Sequence, residues 1–208
     1  MKVLVIGAGN MGSGFVKQLS AAGHQVSVTA RNMAKAQAVA QPYGAKAVPA
    51  AGSADAVDAV VLATGYEQAV DALRGVGKVQ GKPVIDITNP LTADYMGLTV
   101  GHSTSAAEQI AQAVPGVELV KGFNTLFAQV LAAGSTLNGQ KVTVFLASDG
   151  ERAKQTARTL AESMGFAVVD AGGLKNARYL EPLAGLNIYL GYGAGLGTGI
   201  APTWIGKN

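Results

Sequence analysis

The chain has 208 residues, of which 49% are hydrophobic and 14% charged, with 28 glycines; this suits one well-packed core and excludes a disordered chain. Sixteen Lys and Arg against thirteen Asp and Glu leave a formal charge of +3, but no basic run with interleaved aromatics gathers it into a nucleic-acid surface. Cysteine is absent, which removes disulfides, thiolate metal ligands and thiol nucleophiles and agrees with a reducing cytoplasm.

Residues 2–6 read as a buried strand; the run is too short for a signal peptide because glycines follow at once. No stretch approaches the roughly 18 apolar residues of a membrane span. A helix over 11–22 stops at Gly23, a second strand covers 25–30, and a second helix over 33–41 ends before Pro42. Strands near 45–48, at 59–63, 83–87 and 118–120 continue the series, with a helix at 106–114. A strand at 141–147, a helix at 150–164 and a last strand at 167–169 follow. Alternation of this kind indicates parallel βαβ units with right-handed crossovers. The run at 59–63 lacks polar alternation, as a strand covered on both faces does. The last part differs: a Leu-rich helix over 174–192 precedes a glycine-loaded tail, residues 191–208, expected to fold over a neighbouring cleft or against another subunit. The expected fold is therefore α/β, a Rossmann-type doubly wound, mostly parallel sheet in a single domain over 1–208, with a C-terminal helical extension from about 174.

Gly7, Gly9 and Gly12 form G-x-G-x-x-G directly after the first strand and at the start of a helix. That context turns a weak spacing into a dinucleotide fingerprint. Gly7 allows the tight turn, Gly9 lets the backbone approach a pyrophosphate, and Gly12 lets helix and strand pack closely; the unpaired N–H groups at the helix start meet the anion. At the end of the second strand an NAD site places a carboxylate. Here the stretch is Val28-Thr29-Ala30-Arg31-Asn32, with no carboxylate before Asp55. Arg31 offers a bidentate fork, Thr29 a hydroxyl, and Lys35 lies one helical turn beyond. NADP(H) is the expected dinucleotide, with Asn32 beside these groups in the same turn.

Acid–base candidates are few. His24 reads as a surface residue, and His102, in Gly101-His102-Ser103-Thr104-Ser105, as part of a turn and cap before a helix. Lys121 and Lys175 read as solvated element ends rather than bases. No G-x-S-x-G elbow is present, and no His or carboxylate shows metal-ligand spacing. Hydride exchange between two cofactors needs mainly proximity, orientation and a dry pocket, and Met11, Leu91, Phe123, Leu126, Tyr189 and Tyr192 are candidates for its stacking surface.

The stretch GAGNMGSGFVKQLSAAGHQVSVTARN, with Asp86-Ile87-Thr88-Asn89-Pro90-Leu91, Val120-Lys121-Gly122-Phe123-Asn124-Thr125 and Asp170-Ala171-Gly172, resembles the F420-dependent NADP oxidoreductases, whose relatives include the oxidoreductase domains of membrane metalloreductases. The resemblance runs from residue 1 to about 190. It implies that Gly9, Asn10 and Met11 line the pyrophosphate and that Thr29 and Arg31 take the 2′-phosphate. It also implies that Thr64, Gly65 and Tyr66 pass beside the ribose and nicotinamide, and that Asn89-Pro90-Leu91 and Phe123-Asn124-Thr125 frame the hydride-transfer pocket. Two positions depart from the family pattern: Asn124 stands where His is frequent, and Gly65 where Pro is common. The expected activity is hydride transfer between NADP(H) and a flavin or deazaflavin (F420-like) partner. A reductase of small carbonyls or imines and a non-catalytic NADP(H)-binding protein are the alternatives. The molecule is expected to be a cytoplasmic homodimer acting on a small molecule or cofactor, without metal, nucleic acid or membrane.

Overall fold

The structure is a computed structural model that describes residues 1–204. In chain order its first half contains β1 (Lys2–Ile6), α1 (Asn10–Ala21), β2 (Gln25–Thr29), α2 (Met33–Ala40), β3 (Lys46–Ala47), β4 (Ala59–Leu62), α3 (Ala69–Gly75) and β5 (Pro83–Asp86). Then come α4 (Ala106–Ala113), β6 (Glu118–Lys121), α5 (Ala128–Ala133) and a small hairpin of β7 (Thr136–Leu137) and β8 (Gln140–Lys141). The chain closes with β9 (Thr143–Leu146), α6 (Glu151–Ser163), β10 (Ala167–Asp170) and α7 (Ala177–Ile188).

Six strands form one parallel sheet in the order β3-β2-β1-β4-β5-β6, the Rossmann-type arrangement that the sequence suggests. Successive side chains leave a strand on opposite faces, and the sequence fills both. Val3, Val5, Val61 and Val120 pack with Phe15 and Leu19 of α1 and Leu160 of α6. Leu4, Ile6, Val60 and Leu119 meet Leu73 of α3 and Ile110 of α4 on the other side.

The series of parallel units stops at β6. Strands β9 and β10 pair in parallel with each other, but β9 meets the end of β6 through an antiparallel bridge between Lys121 and Ala147, with bonds of 2.9 and 3.0 Å. The connection explains the reversal. Six-residue α5 is about 9 Å long, shorter than the roughly 13 Å of a four-residue strand, so it does not carry the chain back along the sheet. It lies instead against α1, where Gly14 leaves room for Leu131 and the Lys17 ammonium donates to the Ala132 carbonyl at 2.7 Å.

Lys121 corrects the sequence reading. It is fully buried rather than a solvated strand end. Its Nζ lies 2.7 Å from Asp86 Oδ2 and 2.9 Å from Glu181 Oε1, and it donates to the Thr88 carbonyl at 2.7 Å. Burial opposes its charge, but the two carboxylates outweigh that and hold its pKa above the ordinary lysine value. Glu181 on α7 also accepts the backbone N–H groups of Ala106 and Ala107 at 2.8 and 3.1 Å, the first turn of α4. Ser105 caps the same helix by accepting from Glu108 N at 3.2 Å and donating to Glu108 Oε2 at 2.8 Å. Arg178 of α7 then grips Glu108 bidentately, at 2.9 and 2.7 Å.

The C-terminal extension also departs from one helix over 174–192. A single 3-10 turn (Leu174–Asn176) precedes α7, and a wider π-type turn (Tyr189–Gly193) follows it. The tail then packs against its own chain: Ile200 and Ala201 lie on the main core, and Trp204 meets Phe145 of β9 edge-on, ring centroids 5.5 Å apart. The end of the expected tail, residues 205–208, lies outside the described residues. No described helix is long and apolar enough to cross a membrane.

Two outcomes follow. Lys121→Met leaves Asp86 and Glu181 buried without their cation and is expected to cost about 3–5 kcal/mol, read from urea unfolding at neutral pH. Arg178 hydrogen bonds hold the Glu108 carboxyl below its ordinary pKa. The clamp's contribution is therefore complete above the ordinary carboxylate range and is lost as pH falls through it. Glu108→Gln is expected to flatten that acid limb of the stability–pH curve, measured by chemical unfolding across the carboxylate range.

Candidate functional site

Strand order reverses between β1 and β4, and α/β sheets bind ligands in the crevice beyond such a switch point. The glycine turn lies there. Gly7 has φ +120°, and an added Cβ would overlap the Ala63 carbonyl; only glycine meets both conditions. At Gly12 a Cβ would reach within 2.9 Å of the Gly7 carbonyl carbon. Gly9 differs: it has φ −85°, and a Cβ there would meet nothing within 4 Å. It is the N-cap of α1, offers no capping side chain, and the first turn holds no acidic residue. The leading N–H groups of α1, at Asn10 and Met11, thus border open space with the partial positive charge of a helix start.

The turn after β2 carries Arg31 and Lys35, both exposed and, among the described residues, in no ion pair. Thr29 is only 1% exposed, and its hydroxyl has no partner. Asn32 acts locally, its Oδ1 capping α2 by accepting from Lys35 N at 3.2 Å. Beyond β4, the Thr64 hydroxyl is buried without a partner, Gly65 precedes a single 3-10 turn, and Tyr66 begins it. The Tyr66 hydroxyl donates to Gln109 Oε1. Burial, with the Glu181 and Asp86 carboxylates nearby, raises its pKa and keeps the phenol protonated.

A cavity of about 230 Å³ opens beside the glycine turn. Asn10 and Met11 line it from α1, Asn89 and Leu91 from the segment after β5, Asn124 to Gln129 from the segment after β6, and Ala184, Asn187 and Tyr192 from the C-terminal extension. The structure thus brings together Asn10, Met11, Asn89 and Asn124 from the sequence candidates. It places Pro90 and Phe123 outside the lining. Pro90 is buried, its carbonyl accepting from Thr99 N at 2.7 Å. Phe123 is fully buried in the core, edge-on to Phe15 at 5.0 Å and to Phe166 at 5.9 Å. Among the aromatic and apolar candidates, Leu91, Leu126 and Tyr192 line the cavity and Tyr189 does not. Thr125, which the resemblance sets beside Asn124 at the pocket, lines it too, whereas sequence reasoning missed Tyr95, Phe127 and Asn187. Phe127 and Tyr192 form an edge-on pair at 5.6 Å, and the i to i+3 spacing of Ala184, Asn187 and the adjoining Ile188 on α7 is a signal that helical periodicity carries.

Ionisable groups are sparse in this lining, which has no Lys, Arg, His, Asp or Glu and only the phenols of Tyr95 and Tyr192. His102 sits in an exposed turn at φ +57°, and His24 is bound to Ser163 Oγ at 2.8 Å; neither reaches the cavity.

Comparison with known proteins places these features. Residues 2–90 match the family model described as "NADP oxidoreductase coenzyme F420-dependent". The F420-dependent NADP reductase of Methanothermobacter marburgensis is 29% identical over 91% of this chain and 92% of its own length. Rat metalloreductase STEAP3 is 28% identical over 88% of this chain but only 36% of its own length, so the chain spans about a third of that relative. A crystal structure of a putative F420-dependent NADP reductase from Arthrobacter sp. superposes with TM-score 0.85 at 27% identity, covering 96% of each chain.

The glycine geometry separates folding from binding. Gly12→Ala is expected to lower the melting temperature by several degrees, through the overlap with the Gly7 carbonyl. Gly9→Ala, with open space and an ordinary φ, is expected to keep it. Differential scanning fluorimetry checks both without ligand, and titration with NADPH then shows a loss of affinity for Gly9→Ala.

Proposed function

We propose that the chain is a member of the F420-dependent NADP oxidoreductase family, whose model and relatives it resembles, and that as an NADP-dependent oxidoreductase it moves a hydride between NADP(H) and a flavin or deazaflavin ring seated in the cavity. The observation that carries this reading is the lining itself. It borders the glycine turn and offers amides, hydroxyls and aromatic rings, with no carboxylate, imidazole or amine among them. Reduction of a carbonyl or imine asks for a placed proton donor, whereas transfer between two delocalised rings asks for alignment and exclusion of water.

The residues fit the dinucleotide at several points. The open Cβ position at Gly9 leaves room for a pyrophosphate against the α1 N–H groups. Arg31 and Lys35 stand exposed where a 2′-phosphate needs cations, and the unpartnered hydroxyls of Thr29 and Thr64 flank the crevice. Asn32 holds the Arg31 turn in shape through its cap on α2. When bound, NADPH supplies the hydride. Met11 and Leu126 give the cavity apolar walls, Phe127 and Tyr192 its aromatic ones, and Asn89 and Asn124 its polar end. The working unit we propose is a homodimer, because Tyr179, Leu186, Tyr189, Tyr192 and Leu196 leave an apolar surface of α7 and the following turn exposed.

The test is anaerobic NADPH oxidation with F420-type deazaflavin, riboflavin and a panel of carbonyls and imines. Turnover is expected with a deazaflavin or flavin. Reduction of a carbonyl or imine alone, a phenol then acting as donor, would overturn the proposal, and NADPH binding with no turnover on any acceptor would leave a non-catalytic binder. In the same assay Arg31→Ala is expected to raise KM for NADPH about tenfold or more, the worth of a charge-assisted phosphate contact, with little change for NADH.

A further inference from the structure

Asn124 is 4% exposed and lines the cavity, yet its side-chain oxygen has no hydrogen-bond partner. The orientation of that amide is dictated by its surroundings. Asn89 Nδ2 donates to the Asn124 backbone carbonyl at 2.8 Å; a backbone carbonyl only accepts, so Asn89 must present its Oδ1 to the Asn124 side chain. Asn124 Nδ2 donates to that Oδ1 at 3.0 Å and to the Leu180 carbonyl of α7 at 3.0 Å. Both its donors are spent on groups that cannot donate in return. Turning the amide over would set its oxygen against two acceptors, so Oδ1 is the atom left for something else.

The next residue repeats the pattern. Thr125 is 2% exposed, lines the same cavity, and its hydroxyl is also unpartnered. Its backbone is held by Asn187 Nδ2, which donates to the Thr125 carbonyl at 3.0 Å. Buried polar groups without partners are uncommon in folded proteins and costly. Two adjacent ones on a cavity wall, Asn124 tied to α7 through its side chain and Thr125 through its backbone carbonyl, form a pre-set hydrogen-bonding edge.

We propose that Asn124 Oδ1, with the Thr125 hydroxyl beside it, is a specificity determinant that accepts an uncharged amide- or imide-type N–H from the ligand in the cavity. The acceptor is neutral and no carboxylate lines the cavity, so the matching donor is an uncharged N–H rather than an ammonium. Two ligands of the proposed reaction carry one: the imide N–H on the pyrimidine side of a flavin-type ring, and the carboxamide of nicotinamide. The flavin source rests on the function proposed above; the acceptor role of Asn124 does not.

The experiment changes the ligand and keeps the native protein. Riboflavin is compared with N3-methylriboflavin, and NADP⁺ with its 3-acetylpyridine analogue, which lacks the carboxamide NH2. Dissociation constants come from flavin-fluorescence quenching and thermal shift, and kcat/KM from NADPH oxidation. Loss of the donor is expected to weaken the flavin about ten- to a hundredfold, the penalty for leaving a buried acceptor unpaired, with the pyridine analogue binding as NADP⁺ does. The ratio between the two flavins is expected to fall toward one in Asn124→Ala, whatever that variant does to either flavin alone. A loss confined to the acetylpyridine analogue keeps the acceptor role and assigns its donor to the cofactor. If riboflavin neither binds nor is reduced while that loss appears, the flavin reading falls and the acceptor role stands. Equal behaviour within both pairs, or a discrimination seen in the native protein that persists unchanged in Asn124→Ala, overturns the inference.

Discussion

Between β5, β6 and α7 the Lys121 ammonium gives its three N–H groups to Asp86, Glu181 and the Thr88 carbonyl, all of them buried. One positive and two negative charges leave the cluster with an excess of negative charge. The first turn of α4 offsets it: Ala106 and Ala107 donate to Glu181, and a helix start carries roughly half a positive charge. Every donor of Lys121 is used, so the ion meets the condition under which burying charge is tolerable. An apolar trio of similar volume often stabilises as well as such a cluster. What it would not supply is direction. Four elements far apart in sequence have to stand at fixed angles before these bonds can form.

That direction reaches the cavity through α7. Glu181 is pinned by Lys121 and the start of α4, and its neighbour Leu180 presents a carbonyl to Asn124, while Asn187, about two turns beyond Leu180, holds Thr125. Arg178 fastens the start of the same helix to Glu108. The polar edge of the cavity therefore derives its geometry from the helix on the far side of the segment after β6, and that helix derives its position from Lys121. At its other end α7 opens into the π-type turn, a feature frequent at functional sites. Here it brings Tyr192 against Phe127.

Much of the first half of the molecule is legible in the sequence because its signals are local. Short apolar runs, helix-stopping glycines and the glycine turn each act within a few residues, and β1 to β6 appear within a residue or two of where the pattern puts them. Arg31 and Lys35 stand exposed in a turn free of carboxylates, as the spacing implies. Lys121 escapes a local reading because nothing near it in sequence explains a buried lysine; its carboxylate on α7 lies 60 positions away. Asn32 reads as part of the binding turn, but a helix start claims its oxygen first. Short α3 and α5 and the β7–β8 hairpin carry too few residues for periodicity to show. The reversal at β9 depends on a connection length that no motif marks.

Phe123 shows how the two scales meet. It has φ +59°, a conformation that costs a bulky residue on the order of 1–3 kcal/mol and persists only where surroundings impose it. The surroundings are visible. Its ring is wedged edge-on between Phe15 and Phe166, and its neighbour Gly122 donates to the Asp86 carbonyl at 3.1 Å, next to the ion cluster. An extended residue at 123 would continue β6 and carry Asn124 and Thr125 onward along the strand direction. The left-handed residue turns the chain instead, so that the aromatic ring enters the core while the two polar residues after it face the cavity. Family resemblance puts Phe123 in the pocket wall. The structure gives it a different part: it shapes the pocket from below, through the backbone, and the strain is held by the aromatic contacts on one side and the Lys121 cluster on the other.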